Sequence, residues 1–238
     1  DSFELALDLL ADIARNPAFS AAEISRQRQQ ILSGLQVALD DPSYIANTVF
    51  ARLVYGLHPY GQLSSGTPES LASISRDDLL AFHETYYAPN TSLLAIVGDL
   101  AADEAFDGAA RVFGDWESKE IPELILPDSV LPKRRLIVVD RPGAVQTEIR
   151  VGHLGVPRQN SDYITLDLAT RILGGEGSNR LHRILRSERS LTYGAEANMH
   201  AWRYGGDFQA ETNTRSEATA EVVRLIIEEF WRLQQQRV

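Results

Sequence analysis

The chain has no cysteine among its 238 residues. Disulfides and thiolate metal sites are therefore excluded, although the absence does not place the protein in a compartment. Long apolar runs are missing too. None approaches the ~20 residues that a membrane span needs, so no membrane span is expected. A basic excess is also lacking: 23 Lys and Arg stand against 33 Asp and Glu, a net charge of −10. That speaks against nucleic acid as a partner, since such binding needs a basic face. Histidine is scattered: His58, His83, His153, His182 and His200 are the five, and no two are close in sequence. His83-Glu84-Thr85-Tyr86-Tyr87 comes nearest to a His-Glu-x-x-His zinc helix, but Tyr87 stands where the second His is needed, so His83 is read as part of a helix surface. What is present, 44% hydrophobic and 24% charged residues, is the composition of a globular protein with one large or two ordinary domains.

Periodicity supplies the elements. Phe3, Leu5, Ala6, Leu9, Leu10 and Ile13 predict an amphipathic helix to about Arg15, stopped by Asn16-Pro17. Ser20 caps a long helix with Ile24, Ile31, Leu32, Leu35 and Leu39 on its stripe. Arg28 interrupts that stripe, its stem expected along the core and its head in water. A third helix runs from about Ser43 to Tyr55, and His58-Pro59-Tyr60-Gly61 forms a loop in which His58 reads as structural. Ser75 with Asp78 opens a helix to Tyr87 as a capping-box-like pair. Thr91 to Val97 reads as a buried strand, and Ala102 to Phe113 as a helix. Trp116 to Arg135, with three prolines and no clean period, is expected to be a linker between a first domain (1–115) and a second (136–238). Leu136 to Val139 and Gln146 to Leu154 are predicted strands, followed by a helix from Tyr163 to Leu173. Leu191 to Trp202 and Asp207 to Thr212 are expected to pair antiparallel across Arg203-Tyr204-Gly205-Gly206. The last helix, Ala218 to Leu233, turns Val222, Leu225, Ile226 and Phe230 inward and leaves Glu228-Glu229 on a solvated face.

The chemistry concentrates between Gly174 and Gly194. Gly174-Gly175-Glu176-Gly177 opens a turn, Ser178 is the expected N-cap, and a short helix covers about Asn179 to Glu188. The glycines lack the Lys-Ser/Thr ending and the preceding strand of a phosphate loop. Arg186 falls in the last helical turn and Tyr193 at the start of the following strand, so both can face one ligand at a helix-to-strand corner. His182 lies one turn before Arg186 on the same face.

This stretch resembles the second-domain signature of the insulinase-like (pitrilysin-type) zinc metallopeptidases. The resemblance extends to His58-Pro59-Tyr60-Gly61, Gly66-Thr67-Pro68-Glu69-Ser70, Tyr87-Ala88-Pro89-Asn90 and Val97-Gly98-Asp99, which are similar to the late part of the family's first domain. It implies an α+β fold (α/β sandwich-like) of two homologous domains, each a mixed, mainly antiparallel sheet with helices packed on one face. Both domains are expected to be incomplete in this chain, which begins directly in a helical pattern. It further implies that Arg186 and Tyr193, seven residues apart as in the family, are catalytic and substrate-binding groups that reach into the zinc site of a partner half, with His182 lining the same cleft. Zinc in that family is held by a His-x-x-Glu-His helix and a downstream Glu. The helix motif is absent, and Ser33 and Gly34 occupy the place expected for the acidic ligand. The resemblance therefore implies a non-catalytic subunit that binds no zinc itself. Its expected partners are a zinc-bearing homologous subunit, together forming a heterodimer, and a peptide substrate. A non-proteolytic structural or peptide-binding homologue, and an active peptidase whose zinc motif lies upstream, are the two alternatives.

Overall fold

The computed structural model describes residues 2–127 and 133–236. In chain order its helices are α1 (Ser2–Arg15), α2 (Ala21–Ala38), α3 (Pro42–Tyr55), α4 (Pro68–Ser73), α5 (Arg76–Tyr86), α6 (Ala102–Phe113), α7 (Tyr163–Gly174), α8 (Arg180–His182) and α9 (Thr219–Gln235), with strands β1 (Gln146–Leu154), β2 (Ala195–Ala201) and β3 (Gly206–Arg215). The fold is α+β. It contains two compact units. Asp1–Leu35 with Ser65–Ile125 form one unit, and Gln36–Ser64 group with Leu126–Val238 in the other. Residues 116–127 carry no helix or strand, and residues 128–132 of the expected linker lie outside the described residues.

In the first unit α1 packs against α6 through Leu7, Ala11 and Val112, flanked by Phe3, Ile96 and Phe113. The apolar stripe expected to be inward, with Leu5, Leu9, Leu10 and Ile13, is the one left exposed, because no described element of this unit covers it. Arg111 pairs with Asp8 at 2.7 Å, and Arg15 donates to Val112 O at 2.8 Å. Arg28 does not end in water as expected. It donates to Leu71 O (2.8 Å) and Ile74 O (2.6 Å), carbonyls at the C-terminal end of α4, where a positive charge is favoured. The capping box of Ser75 and Asp78 forms as predicted. His83 is more than a surface residue: its Nε2 lies 2.8 Å from Ala14 O and its ring stacks on Tyr87.

Thr91 to Val97 is not a strand. Thr91 closes a 3-10 turn and residues 92–97 form no strand, with Leu93 95% and Val97 98% exposed. Leu136 to Val139, in the second unit, is likewise unpaired and exposed. Apolar, β-branched residues favour a pleated surface only where a neighbouring strand takes up the backbone N–H and C=O groups, and none lies beside either segment among the described residues.

The second unit is built on an antiparallel sheet of order β1-β3-β2. Its two faces separate with a period of two. Ile149 and Val151 of β1, Phe208 and Ala210 of β3, and Ala195, Ala197 and Met199 of β2 join Leu173, Leu181, Leu185, Val222, Leu225 and Ile226 of the helices in one core. Burying a leucine or isoleucine there contributes roughly 1.5–3 kcal/mol each. Gly174 ends α7 flat against β2, since a Cβ there would fall inside the backbone of Ala197. Glu229 is a correction to the solvated-face reading of α9. It sits three residues after Ile226 on the inner stripe, is fully buried, and holds Arg232 through Oε1 at 2.6 Å.

The opposite face is polar and carries α3. Arg150 of β1, with a side chain 6% exposed, bonds Asn47 Oδ1 and Ser43 Oγ of α3 at 2.6 Å each and pairs with Glu148 and Glu211 at 3.2 Å. Gln209 adds a 3.2 Å bond to the same Asn47. At the C-terminal end of α3, the Tyr55 hydroxyl donates to Asp207 Oδ1 at 2.6 Å, and His200 Nδ1 lies 3.0 Å from Asp207 Oδ2. Burial, then the bond to Asp207, pushes the Tyr55 phenol far up from its ordinary value. His58 is buried, and its Nδ1 accepts from Tyr60 N at 3.1 Å, in keeping with a structural role.

Candidate functional site

The corner between α8 and β2 lies wholly in the second unit. Asn179, not Ser178, caps the helix: its Oδ1 accepts from His182 N at 2.7 Å, and its Nδ2 donates to Gly175 O. The expected α-helix lasts one turn and then widens into a π-helical turn, Arg183–Glu188. Leu181 and Leu185 stay fully buried through the change. A π turn adds one residue per turn, and such turns recur at functional sites. Here it closes with Leu191 N donating to Leu185 O at 2.8 Å and Ser190 N to Arg186 O at 3.0 Å. Ser190 takes a left-handed φ of 52° to make the exit.

Arg186 is exposed on this turn. Its Nη1 lies 3.4 Å from His182 Nε2, which serves as the acceptor when that nitrogen is unprotonated. Its neighbours are spoken for, Arg183 by Glu188 at 3.6 Å and Arg189 by Glu221 at 3.4 Å. Among the described residues no carboxylate pairs with Arg186, so its charge is left uncompensated.

Tyr193 follows the corner and is 83% exposed. It lies two residues short of β2, where the sequence placed it inside the strand. The residues around it are fixed by threonines. Thr214 Oγ1 donates to Leu191 O at 2.7 Å, and Thr212 Oγ1 donates to Gly194 O at 2.7 Å while lying 2.9 Å from Thr192 Oγ1. Tyr193 thus presents a phenol with no hydrogen-bond partner among the described residues, from a backbone that is held on both sides. The fold brings His182 and Arg186 into contact; no hydrogen bond joins either of them to Tyr193. Asn179, Thr212 and Thr214 were missed from sequence. Threonines two apart on a strand that faces the helices were the available signal.

A family profile described as peptidase M16 inactive domain matches residues 73–238, well over half of the chain. The chain belongs to the M16 peptidase family. It is 31% identical to the solved peptidase M16 inactive domain from Pseudomonas fluorescens, with a TM-score of 0.86 over 96% of this chain and 56% of that one. An uncharacterized zinc protease of Mycobacterium leprae is 25% identical over 234 residues, which are 94% of this chain and 51% of the relative. Pitrilysin shares the fold, with a TM-score of 0.71 at 21% identity over 100% of this chain and 27% of that one. This M16 chain spans about half the length of the curated relatives it matches.

Relatives named zinc proteases raise the question of whether this chain's own residues fit that ion. They do not. Among the described residues no group of three or more His, Asp or Glu is placed to hold a metal. Ser33 and Gly34 lie exposed in α2, one with a weak neutral oxygen and the other with no side-chain donor. No helix is long and apolar enough to cross a membrane among the described residues.

Proposed function

We propose that this chain is the non-catalytic subunit of a two-subunit zinc endopeptidase, and that Arg186 and Tyr193 act on peptide held at the zinc site of a homologous partner chain. The observation that carries the reading is an exposed arginine without a carboxylate partner, followed across a hydrogen-bonded corner by an exposed phenol. Family membership adds to it. Peptide hydrolysis builds negative charge on the scissile carbonyl oxygen, and a guanidinium and a phenol donate hydrogen bonds to that oxygen or to neighbouring carbonyls. His182, whose Nε2 lies 3.4 Å from Arg186 Nη1, is proposed to line the same substrate-binding surface. The two M16-type domains are proposed to meet within 116–135. Limited proteolysis of the full-length protein should nick that segment first, and first cleavage within Thr91 to Val97 would move the boundary.

Tyr193→Phe removes only the hydroxyl, and Arg186→Lys keeps the charge but loses the planar fork. In the complex of full-length protein with its zinc-bearing partner, each variant should fold and assemble. Each should lose on the order of 10²-fold in kcat with a smaller change in KM, because the lost bond belongs to the transition state. A rise in KM at constant kcat would assign the pair to ground-state binding. Full activity of both variants would leave a structural homologue as the better reading. The names of the zinc protease relatives favour a second possibility, an active peptidase whose zinc motif lies in a part of the protein before Asp1. Elemental analysis of the full-length protein separates the two: one zinc per chain belongs to the second reading.

A further inference from the structure

We propose, building on the catalytic reading of Tyr193, that Thr212 and Thr214 of β3 are positioning residues whose hydroxyls hold the Tyr193 phenol where a substrate carbonyl can meet it. The paired register of β2 and β3 ends at Ala195 opposite Thr212, while β3 runs on to Arg215. The segment that carries Tyr193 therefore lies just beyond the paired register, and side chains of β3 reach it instead. Thr214 Oγ1 donates to Leu191 O at 2.7 Å, and Thr212 Oγ1 donates to Gly194 O at 2.7 Å. These two anchors bracket Thr192 and Tyr193.

Their place on the strand makes these hydroxyls more than fillers. Phe208, Ala210, Thr212 and Thr214 alternate along β3, and the first two belong to the core. Thr212 and Thr214 are buried as well. An apolar β-branched residue suits such a place, and a buried hydroxyl is tolerated there only with a partner. The partners are two carbonyls of the corner, one on either side of Tyr193. Thr192 adds a third anchor. It is buried, its Oγ1 accepts from Gly194 N at 3.2 Å, and the same oxygen lies 2.9 Å from Thr212 Oγ1.

The clamp also sets the distance between the two functional groups. Leu191, held by Thr214 at its carbonyl, donates from its N–H to Leu185 O, one residue before Arg186. The strand is thus tied through Leu191 to the turn that carries the arginine. A donor that acts on a transition state must be held close to its productive geometry. The Tyr193 side chain is 83% exposed and receives no such support from packing. Its backbone supplies it.

The test uses the complex of full-length protein with its zinc-bearing partner. Thr212→Val and Thr214→Val keep the side-chain shape and delete the hydroxyl. Each should fold, assemble and lose roughly tenfold in kcat with a smaller change in KM, since misplacement by about an ångström can cost up to ~10²-fold. Thr212→Ser and Thr214→Ser keep the hydroxyl and should retain most of the wild-type kcat. In the Tyr193→Phe background the valine substitutions should cost little further, because residues that act through one group are not additive. In the full-length protein alone, NMR order parameters of the backbone at residues 192–194 should fall in the valine variants from about 0.85 toward 0.6. If one valine variant fails to fold, the other decides. An equal kcat loss in the Tyr193→Phe background would show that the threonines act on the fold at large, and overturns the proposal. Unchanged order parameters overturn it too, as does full kcat in the valine variants while Tyr193→Phe is impaired. Full kcat in Tyr193→Phe removes the catalytic reading itself and the positioning role with it, whatever the order parameters report.

Discussion

Arg150 and Arg186 are the same residue type put to opposite uses. Arg150 lies on the polar face of the sheet, nearly closed off from water, and bonds Asn47, Ser43, Glu148 and Glu211. Arg186 lies on an exposed π turn with one imidazole for company. The first makes α3 part of the second unit and is nearly closed off from any ligand, its side chain 6% exposed. The second contributes little to the fold and keeps its donors available. An arginine whose hydrogen-bonding capacity is consumed inside the fold is structural. One whose backbone is fixed while its head is unclaimed is available to something outside the chain.

The widest test of that contrast is stability. Arg150→Met removes a buried cation and strands Glu148 and Glu211, while Asn47 keeps its bond from Gln209. Breaking a buried pair in this way costs about 3–5 kcal/mol. Arg186→Met should change stability by no more than ~0.5 kcal/mol, as exposed substitutions away from special features do. Urea unfolding of the two variants side by side measures the difference. Similar losses in both would mean that Arg186 is part of the fold's own framework.

The corner side of the comparison sharpens with Ser190. Its φ of 52° puts a side chain in the left-handed region to bring the chain off the π turn. That conformation costs a non-glycine residue roughly 1–2 kcal/mol, and glycine returns part of the gain through its greater freedom when unfolded. Ser190→Gly should therefore stabilise by about 0.5–1 kcal/mol, seen as a higher Tm. Destabilisation would show that the serine side chain contributes to the turn.

The helices were largely legible in the sequence, because period and caps are local signals. Faces and strands were less so. The stripe Leu5, Leu9, Leu10 and Ile13 is periodic yet exposed, and Thr91 to Val97 is β-prone yet unpaired, because burial and pairing depend on what lies alongside. Glu229 looked like half of a solvated acidic pair, and its burial follows from a helix phase that Val222, Leu225 and Ile226 already showed. For the site, the residue types and spacing of Arg186 and Tyr193 were visible. The π turn, the positive φ of Ser190 and the threonine bonds were not, because they arise from fitting Leu185 and Leu191 into one core.

The smallest expected effect concerns the second tether on the Arg150 side, where His200 and Tyr55 share the buried carboxylate of Asp207. The hydrogen bond to Asp207 raises the His200 pKa above its ordinary 6.5, against the opposing pull of partial burial, and Glu211 adds to the rise. Tyr55 stays protonated throughout, since its pKa moves further up. A raised folded value means that the charged imidazole is favoured by folding. Its contribution is present in full below the unfolded pKa near 6.5 and is lost as pH rises through the folded pKa. The side chain is 43% exposed, so screening holds the effect to at most ~1 kcal/mol. Above that range a neutral imidazole still donates from Nδ1 to Asp207, and the bond persists without its charge. Tm should therefore fall modestly between mildly acidic and mildly alkaline pH, and His200→Gln should flatten that segment of the curve. Wild type and His200→Gln losing Tm in parallel would place the pH dependence elsewhere and leave Arg150 as the tether that matters on that face.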